Sequence, residues 1–381
     1  MPRSHIRRRP KSSRDVTELT RLAVGLAASA SAAEDQHWEI HLAKLVDRLL
    51  AAGDDDALEA ALDRLSEANP RGYDQLADTI EARAESFERD DSVVLLIALP
   101  ILVWSRFSIP NETIPGEVLE NLSTQLSAHV LAAEAKVSLA DLLLSPDQLP
   151  QAYSATYAFT SQMAAALKEG RPLHLDSKLQ PKTARYLADA RYVLAGARTP
   201  RDAPLFRWQE AGASRDEARS AWRAQAGECV APLFAGCAYE LILPDAYFSV
   251  CRQSEREGRA FSLNASMTLL ETGANTDPRQ LTAVVAPFGE RELDEYRIGF
   301  IAKDALVHGV VWPLLGSENE DSDGLRKIEA LLRERGVARI VALEELFPFE
   351  YCDDCGAPLF ANGDGELVHA EWPESAETHL H

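Results

Sequence analysis

The sequence predicts an α+β protein: an all-helical N-terminal half, a ferredoxin-like layered α/β region, and a C-terminal zinc-ribbon-like hairpin. Three observations carry this. Apolar residues recur every three to four positions over 15–168, the period of amphipathic helices. Beyond Gly170-Arg171-Pro172 short β-type runs take over. Near the end stands one Cys-x-x-Cys, Cys352 and Cys355, followed by the turn signal Asn362-Gly363-Asp364-Gly365. The expected divisions are a basic tail at 1–14, a helical domain at 15–170, a linker at 171–183, an α+β domain at 184–346, and the hairpin with an acidic tail at 347–381.

The first helix is expected where Leu19, Leu22, Ala23 and Leu26 share a face, with Asp15 and Glu18 spaced as a capping box. The same stretch loosely imitates a signal peptide, but Asp15, Glu18 and Arg21 interrupt the pattern, so a cytoplasmic protein is expected. Trp38, Leu42, Leu45, Val46 and Leu49 mark the second helix, stopped by Gly53, and Asp54-Asp55-Asp56 caps the third. Leu58, Leu62 and Leu65 belong to that third helix, which ends before Pro70; Tyr73, Leu76 and Ile80 mark the fourth. The apolar run 93–104, broken by Pro100, is shorter than the roughly 20 residues of a membrane span and reads as a buried helix. Helices over 118–130 and 149–167 follow, the last ending at Gly170. Such a succession forms a bundle or a short α-solenoid, and no repeat consensus aligns.

In the second half, strands are expected at 192–194, 239–243, 281–285, 296–301, 306–312 and 340–343, with helices at 215–226, 261–270 and 325–335. From 239 onward this is strand, helix, three strands, helix, strand, a ferredoxin-like order with one extra strand. The acidic stretch 318–324 lacks the distal glutamate of a calcium loop and reads as a solvated helix start.

A chain of 381 residues suits two domains and needs no disulfides to bury a core. Its net charge of -21 disfavours nucleic acid and anionic membrane surfaces unless the charge is segregated. Some is: Arg3, Arg7, Arg8, Arg9, Lys11 and Arg14 lie in a stretch without acids. That tail is either a frayed terminus or an arm for nucleic acid or for the protein's own acidic surface. The cysteines are odd in number; Cys229, Cys237 and Cys251 stand in apolar stretches and are expected in the core, not in a disulfide framework.

The chemistry-bearing motif is Cys352-Asp353-Asp354-Cys355-Gly356. Two cysteines at this spacing put both sulfurs on one side of a turn, glycine permits the required backbone angle, and backbone amides can point at the sulfurs. A tight turn would set Phe360 across from Leu367 and bring His369 opposite Pro358. Cys352, Cys355 and His369 are therefore the candidate metal ligands, with a fourth from His379, His381 or a cysteine elsewhere. Asp353 and Asp354 are expected to raise the thiol pKa, against a redox dithiol and compatible with a compensating cation. Structural zinc is the first reading; a metal-free turn and a redox or labile-metal site are the others. No phosphate loop, dinucleotide turn, His-Glu-x-x-His or nucleophile elbow occurs. His308 is a lone strand histidine expected to be structural, and His37 and His41, four apart on a helix, lack a third ligand.

At the phrase from Phe347 through Tyr351-Cys352-Asp353-Asp354-Cys355-Gly356-Ala357-Pro358 to Phe360, the chain resembles the bacterial family Domain of Unknown Function 2863, typical of β-proteobacteria. The resemblance extends over most of the length. It implies a bacterial cytoplasmic protein and supplies no activity and no catalytic residues. The leading expectation is a non-enzymatic interaction or scaffold protein whose helical half docks a protein partner and whose tail carries structural zinc. The alternatives are an enzyme with a pocket between the two halves, and a nucleic-acid-associated protein acting through residues 1–14.

Overall fold

Four amphipathic helices come first, each begun and stopped by residues of its own sequence. In this computed structural model, which describes residues 14–89, 91–105, 108–180, 188–316, 318–319 and 322–372, they are α1 (Arg14–Ala27), α2 (Ala32–Ala52), α3 (Asp55–Ala68) and α4 (Pro70–Glu85). Ser31 caps α2 by accepting from the Glu34 N–H, and Gly53 ends it at φ 71. Asp54 caps α3, and Asn69 caps α4 ahead of Pro70. Asp15 does not cap α1 as its spacing with Glu18 suggested. It lies inside the helix and pairs with Arg48 of α2, while Glu18 pairs with Arg21. The four helices bury Leu19, Leu42, Leu58, Leu65, Leu76 and Ile80 in one core.

The first half is not all-helical. After β1 (Ser86–Arg89), the run expected as a buried helix is the strand β2 (Ser92–Trp104). Its residues are buried on both faces, so no polar residue betrays the strand period, and an apolar run of this kind is ambiguous from sequence. Its wealth of Val and Ile is the residue-level reason it extends. There follow α5 (Gly116–His129), β3 (Lys136–Leu139), α6 (Tyr153–Glu169), β4 (Ala188–Pro200), α7 (Arg215–Val230), β5 (Ala238–Leu241) and β6 (Asp245–Ala246). These strands form one sheet in the order β1-β2-β4-β3, with β5 and β6 also paired to β2. Because β2 and β4 pair, residues on either side of 170–184 share a sheet, and the compact units do not divide there. The first unit reaches Cys251. The second holds the described residues from Arg252 onward together with the short stretches 102–105, 108–109 and 188–189.

Helix α8 (Tyr247–Gly273) leads into the second unit's strands β7 (Thr282–Phe288), β8 (Glu295–Ala302) and β9 (Ala305–Pro313), an antiparallel meander. Helix α9 (Gly324–Glu334) then returns the chain to β10 (Arg339–Ala342), parallel to β7, giving the order β10-β7-β8-β9. This is not the expected ferredoxin-like layout: the strand that should have opened it, β5, pairs with β2 in the other sheet. Residue order shows where a strand is and not which sheet it joins. The strand period sorts β7 cleanly. Ala283 and Val285 pack with Leu263, Met267, Ile328 and Leu332 of α8 and α9, while Val284, Ala286 and Phe288 pack with Phe347 and Ala361 on the opposite face. The C-terminal segment thus covers the face that the helices leave open. Among the described residues no helix is long and apolar enough to cross a membrane.

Candidate metal centre

The segment after β10 is tied down before it reaches the cysteines. The Phe347 N–H donates to Pro287 O, and Gly289 N–H donates back to Phe347 O, extending the β7 edge. Tyr351 then bridges to Pro358 in antiparallel fashion, and Leu359 N–H donates to Glu350 O. Inside this loop Cys352 N–H donates to Ala357 O and Gly356 N–H to Cys352 O, with Gly356 at φ 71. That backbone angle is the one glycine supplies cheaply, as expected from its place after the second cysteine.

Two short strands close the hairpin, β11 (Phe360–Ala361) and β12 (Leu367–Val368). Their register is Phe360 to Val368 and Ala361 to Leu367, one residue off the expected pairing. The cause is the turn. Asn362 Oδ1 accepts from the N–H groups of both Asp364 and Glu366, which makes the connection wider than a two-residue turn. Continued by one residue, the ladder sets His369 across from Leu359 instead of Pro358. The candidate ligands still converge: the sulfurs of Cys352 and Cys355 and a ring nitrogen of His369 lie within 4.8 Å of one another, and Cys355 Sγ stands 3.2 Å from His369 Nε2.

The Cys352 thiol is held below its ordinary pKa, against expectation. The backbone N–H of Cys355 and then that of Asp354 point at its sulfur, and together they outweigh burial and the Asp354 charge. Asp354 thus lowers the thiol pKa through its backbone N–H more than its carboxylate raises it. A thiol biased towards thiolate is a better ligand for a thiophilic cation.

Arg297 was not anticipated, yet it holds the knuckle in place. On β8 it sits opposite Ala286, hence on the face that the C-terminal segment covers, and it is 1% exposed. Its Nη1 donates to Glu350 O at 2.9 Å and to Leu359 O at 2.7 Å, one carbonyl from each arm of the knuckle. Its Nε donates to Glu295 at 2.6 Å, and its guanidinium lies 4.3 Å from the Phe288 ring centroid. A single arginine in the run Tyr296 to Ile301, which holds no other charge, was the available signal. A buried charge needs partners, and the sequence does not say which.

The other flagged residues do not join this site. His379 and His381 lie outside the described residues, as do residues 1–13 of the basic tail. His41 Nδ1 meets the backbone oxygen of His37 at 2.7 Å, so that pair is spent on its own helix. His308 is structural as expected, with Nε2 3.1 Å from Ser266 Oγ and burial pushing its pKa down to about 4. Cys229, Cys237 and Cys251 are half-buried instead of core residues. Glu318 is not simply solvated: it pairs at 2.6 Å with the buried Arg259. Among the described residues the Cys352, Cys355 and His369 cluster is the one with metal-ligating geometry.

A family model described as protein of unknown function (DUF2863) matches residues 4–381. The chain belongs to this family. No curated protein and no solved structure matches the chain. The DUF2863 match runs through the knuckle and both compact units, so the family is defined by the whole assembly of elements and not by the Cys-x-x-Cys alone.

Proposed function

We propose that this DUF2863 protein is a non-enzymatic, cytoplasmic, bacterial interaction protein whose zinc-ribbon-like knuckle binds structural zinc through Cys352, Cys355 and His369. The observation that supports zinc is the convergence of two sulfurs and an imidazole nitrogen within 4.8 Å. With ordinary zinc–ligand lengths, tetrahedral S and N atoms stand about 3.5–3.8 Å apart, so these donors need only small adjustments. The two cysteines would serve as thiolates and His369 through Nε2. The ion would supply folding free energy to a hairpin whose strands are two residues each, too short to persist alone. Closed by a fourth ligand, such a site would contribute stability and not catalysis, and the interaction role rests on that closure. The helices α1–α4 are the surface offered for a protein partner.

Elemental mass spectrometry on tag-free protein and on Cys352→Ser tests the reading. About one zinc per chain in the parent and none in the variant is expected. A metal-free parent with reduced cysteines would overturn it. An inert, monodisperse monomer that captures no partner would remove the interaction role. A second reading, a protein that handles a small molecule, is favoured by a cavity in the first unit.

A further inference from the structure

The first unit contains a cavity of about 930 Å³, within the size range of small-molecule sites. One face of α6 lines it. Tyr157, Ser161, Ala164, Ala165 and Lys168 recur at helical spacing, and the small side chains among them leave the space open. Facing them are Phe87 of β1, Lys136 of β3 and Arg198 of β4.

The charges of the wall differ in how they are satisfied. Arg83 and Asp47 hold each other through two hydrogen bonds of 2.6 Å, and Glu88 is held by Arg201. Lys136, Lys168 and Arg198 have no such carboxylate partner among the described residues. Lys136 and Arg198 stand directly opposite in the β3–β4 ladder. Residues so placed emerge on one face with Cβ atoms about 5 Å apart, and like charges there repel. Lys168 lines the same cavity, and the acids of the wall besides Asp47 and Glu88 are Asp91 and Glu134. A dianion bound among the three would turn the repulsion into charge-assisted hydrogen bonds.

The geometry points to a binding site for a phosphate ester about the size of a mononucleotide, its phosphate held by Lys136, Lys168 and Arg198. A free phosphate would fill only a small part of the cavity. The organic part would lie against Tyr157 and Phe87, and Asp91 and Glu134 of the same wall can accept from its hydroxyl or amino groups. The inference shares no residue with the zinc reading and stands or falls separately.

Titration calorimetry of the full chain in a low-salt, phosphate-free buffer tests it, with AMP, ribose 5-phosphate and inorganic phosphate as probes. At least one ester should bind saturably and more tightly than inorganic phosphate. Affinity should fall about tenfold or more in Arg198→Gln and in Lys168→Gln. Lys168 is exposed near the end of α6, so its variant tests binding even where Arg198→Gln fails to fold. Lys136→Gln without ligand should melt at a higher temperature than the parent, because the like-charge pair is gone. Absence of saturable binding by all three probes overturns the site, and so does unchanged affinity in Lys168→Gln. Inorganic phosphate binding as tightly as both esters overturns the ester.

Discussion

Arg297 and His308 show opposite ways of burying a polar side chain in one sheet. Arg297 is surrounded by Glu295, two carbonyls and the Phe288 ring. Replacing it with Met would leave Glu295 and both knuckle carbonyls without their donor, at a cost of roughly 3–5 kcal/mol. Lys at the same place should recover little, since one ammonium cannot match the planar fork that spans both arms. Denaturant unfolding of Arg297→Met and Arg297→Lys checks both statements, and a loss in Arg297→Met below about 1 kcal/mol would show that the clamp is dispensable. His308 is instead half-buried and neutral, between Ser266, the Phe300 ring and the Trp372 ring. Its pKa falls from an ordinary 6.5 to about 4 through burial. The unfolded chain therefore binds a proton that the folded chain refuses in this window. The stability that His308 contributes is complete above pH 6.5 and is lost as the pH falls through the window towards 4, by roughly 3 kcal/mol in all. Glu318, held low mainly by its hydrogen bond to Arg259, adds its own loss only beneath the ordinary carboxylate range. Unfolding free energies at pH 7 and pH 5 should differ less in His308→Gln than in the parent.

At the scale of elements, the hairpin is fitted to its sheet by the absence of side chains. Gly299 of β8 and Gly309 of β9 are directly opposite, and a Cβ built on Gly309 would stand 2.3 Å from the Phe360 ring. The two glycines leave a hollow that Phe360 fills, which is a reason for glycine inside a strand. Gly309→Ala should cost about 1–3 kcal/mol through overpacking, and adding Phe360→Leu should return part of it. Additive losses in that double variant would break the assigned contact. The hairpin's existence was legible in Asn362-Gly363-Asp364-Gly365, but its register was not, because Asn362 widens the turn with its side chain. The existence of helices α1 to α4 was legible, and Gly53, Asp54 and Pro70 marked the junctions between α2, α3 and α4 because they act locally, whereas the start of α1 was not, since Asp15 pairs with Arg48 inside the helix. Strand β2 was not, because burial on both faces erases the alternation that would reveal it.

For the whole molecule, an excess of 60 acidic over 39 basic residues is a source of self-repulsion. Sodium chloride raised from about 0.02 M to about 0.3 M shortens the screening length severalfold and should raise the melting temperature. A fall over that range would mean that specific ion pairs such as Arg48–Asp15 outweigh the general repulsion. The sequence by itself determined the composition class, the opening helices, the strands β7 to β9 and the three residues that meet at the knuckle. Each of these follows from short-range rules of periodicity, capping and turn chemistry. Only the tertiary structure decided that β2 is extended, that β5 pairs with β2 instead of opening the second sheet, and that Arg297 fastens the knuckle. It also decided that Lys136, Lys168 and Arg198 line one cavity. These are contacts between residues far apart in the chain, and no local pattern records which distant partner a strand edge or a buried charge will find.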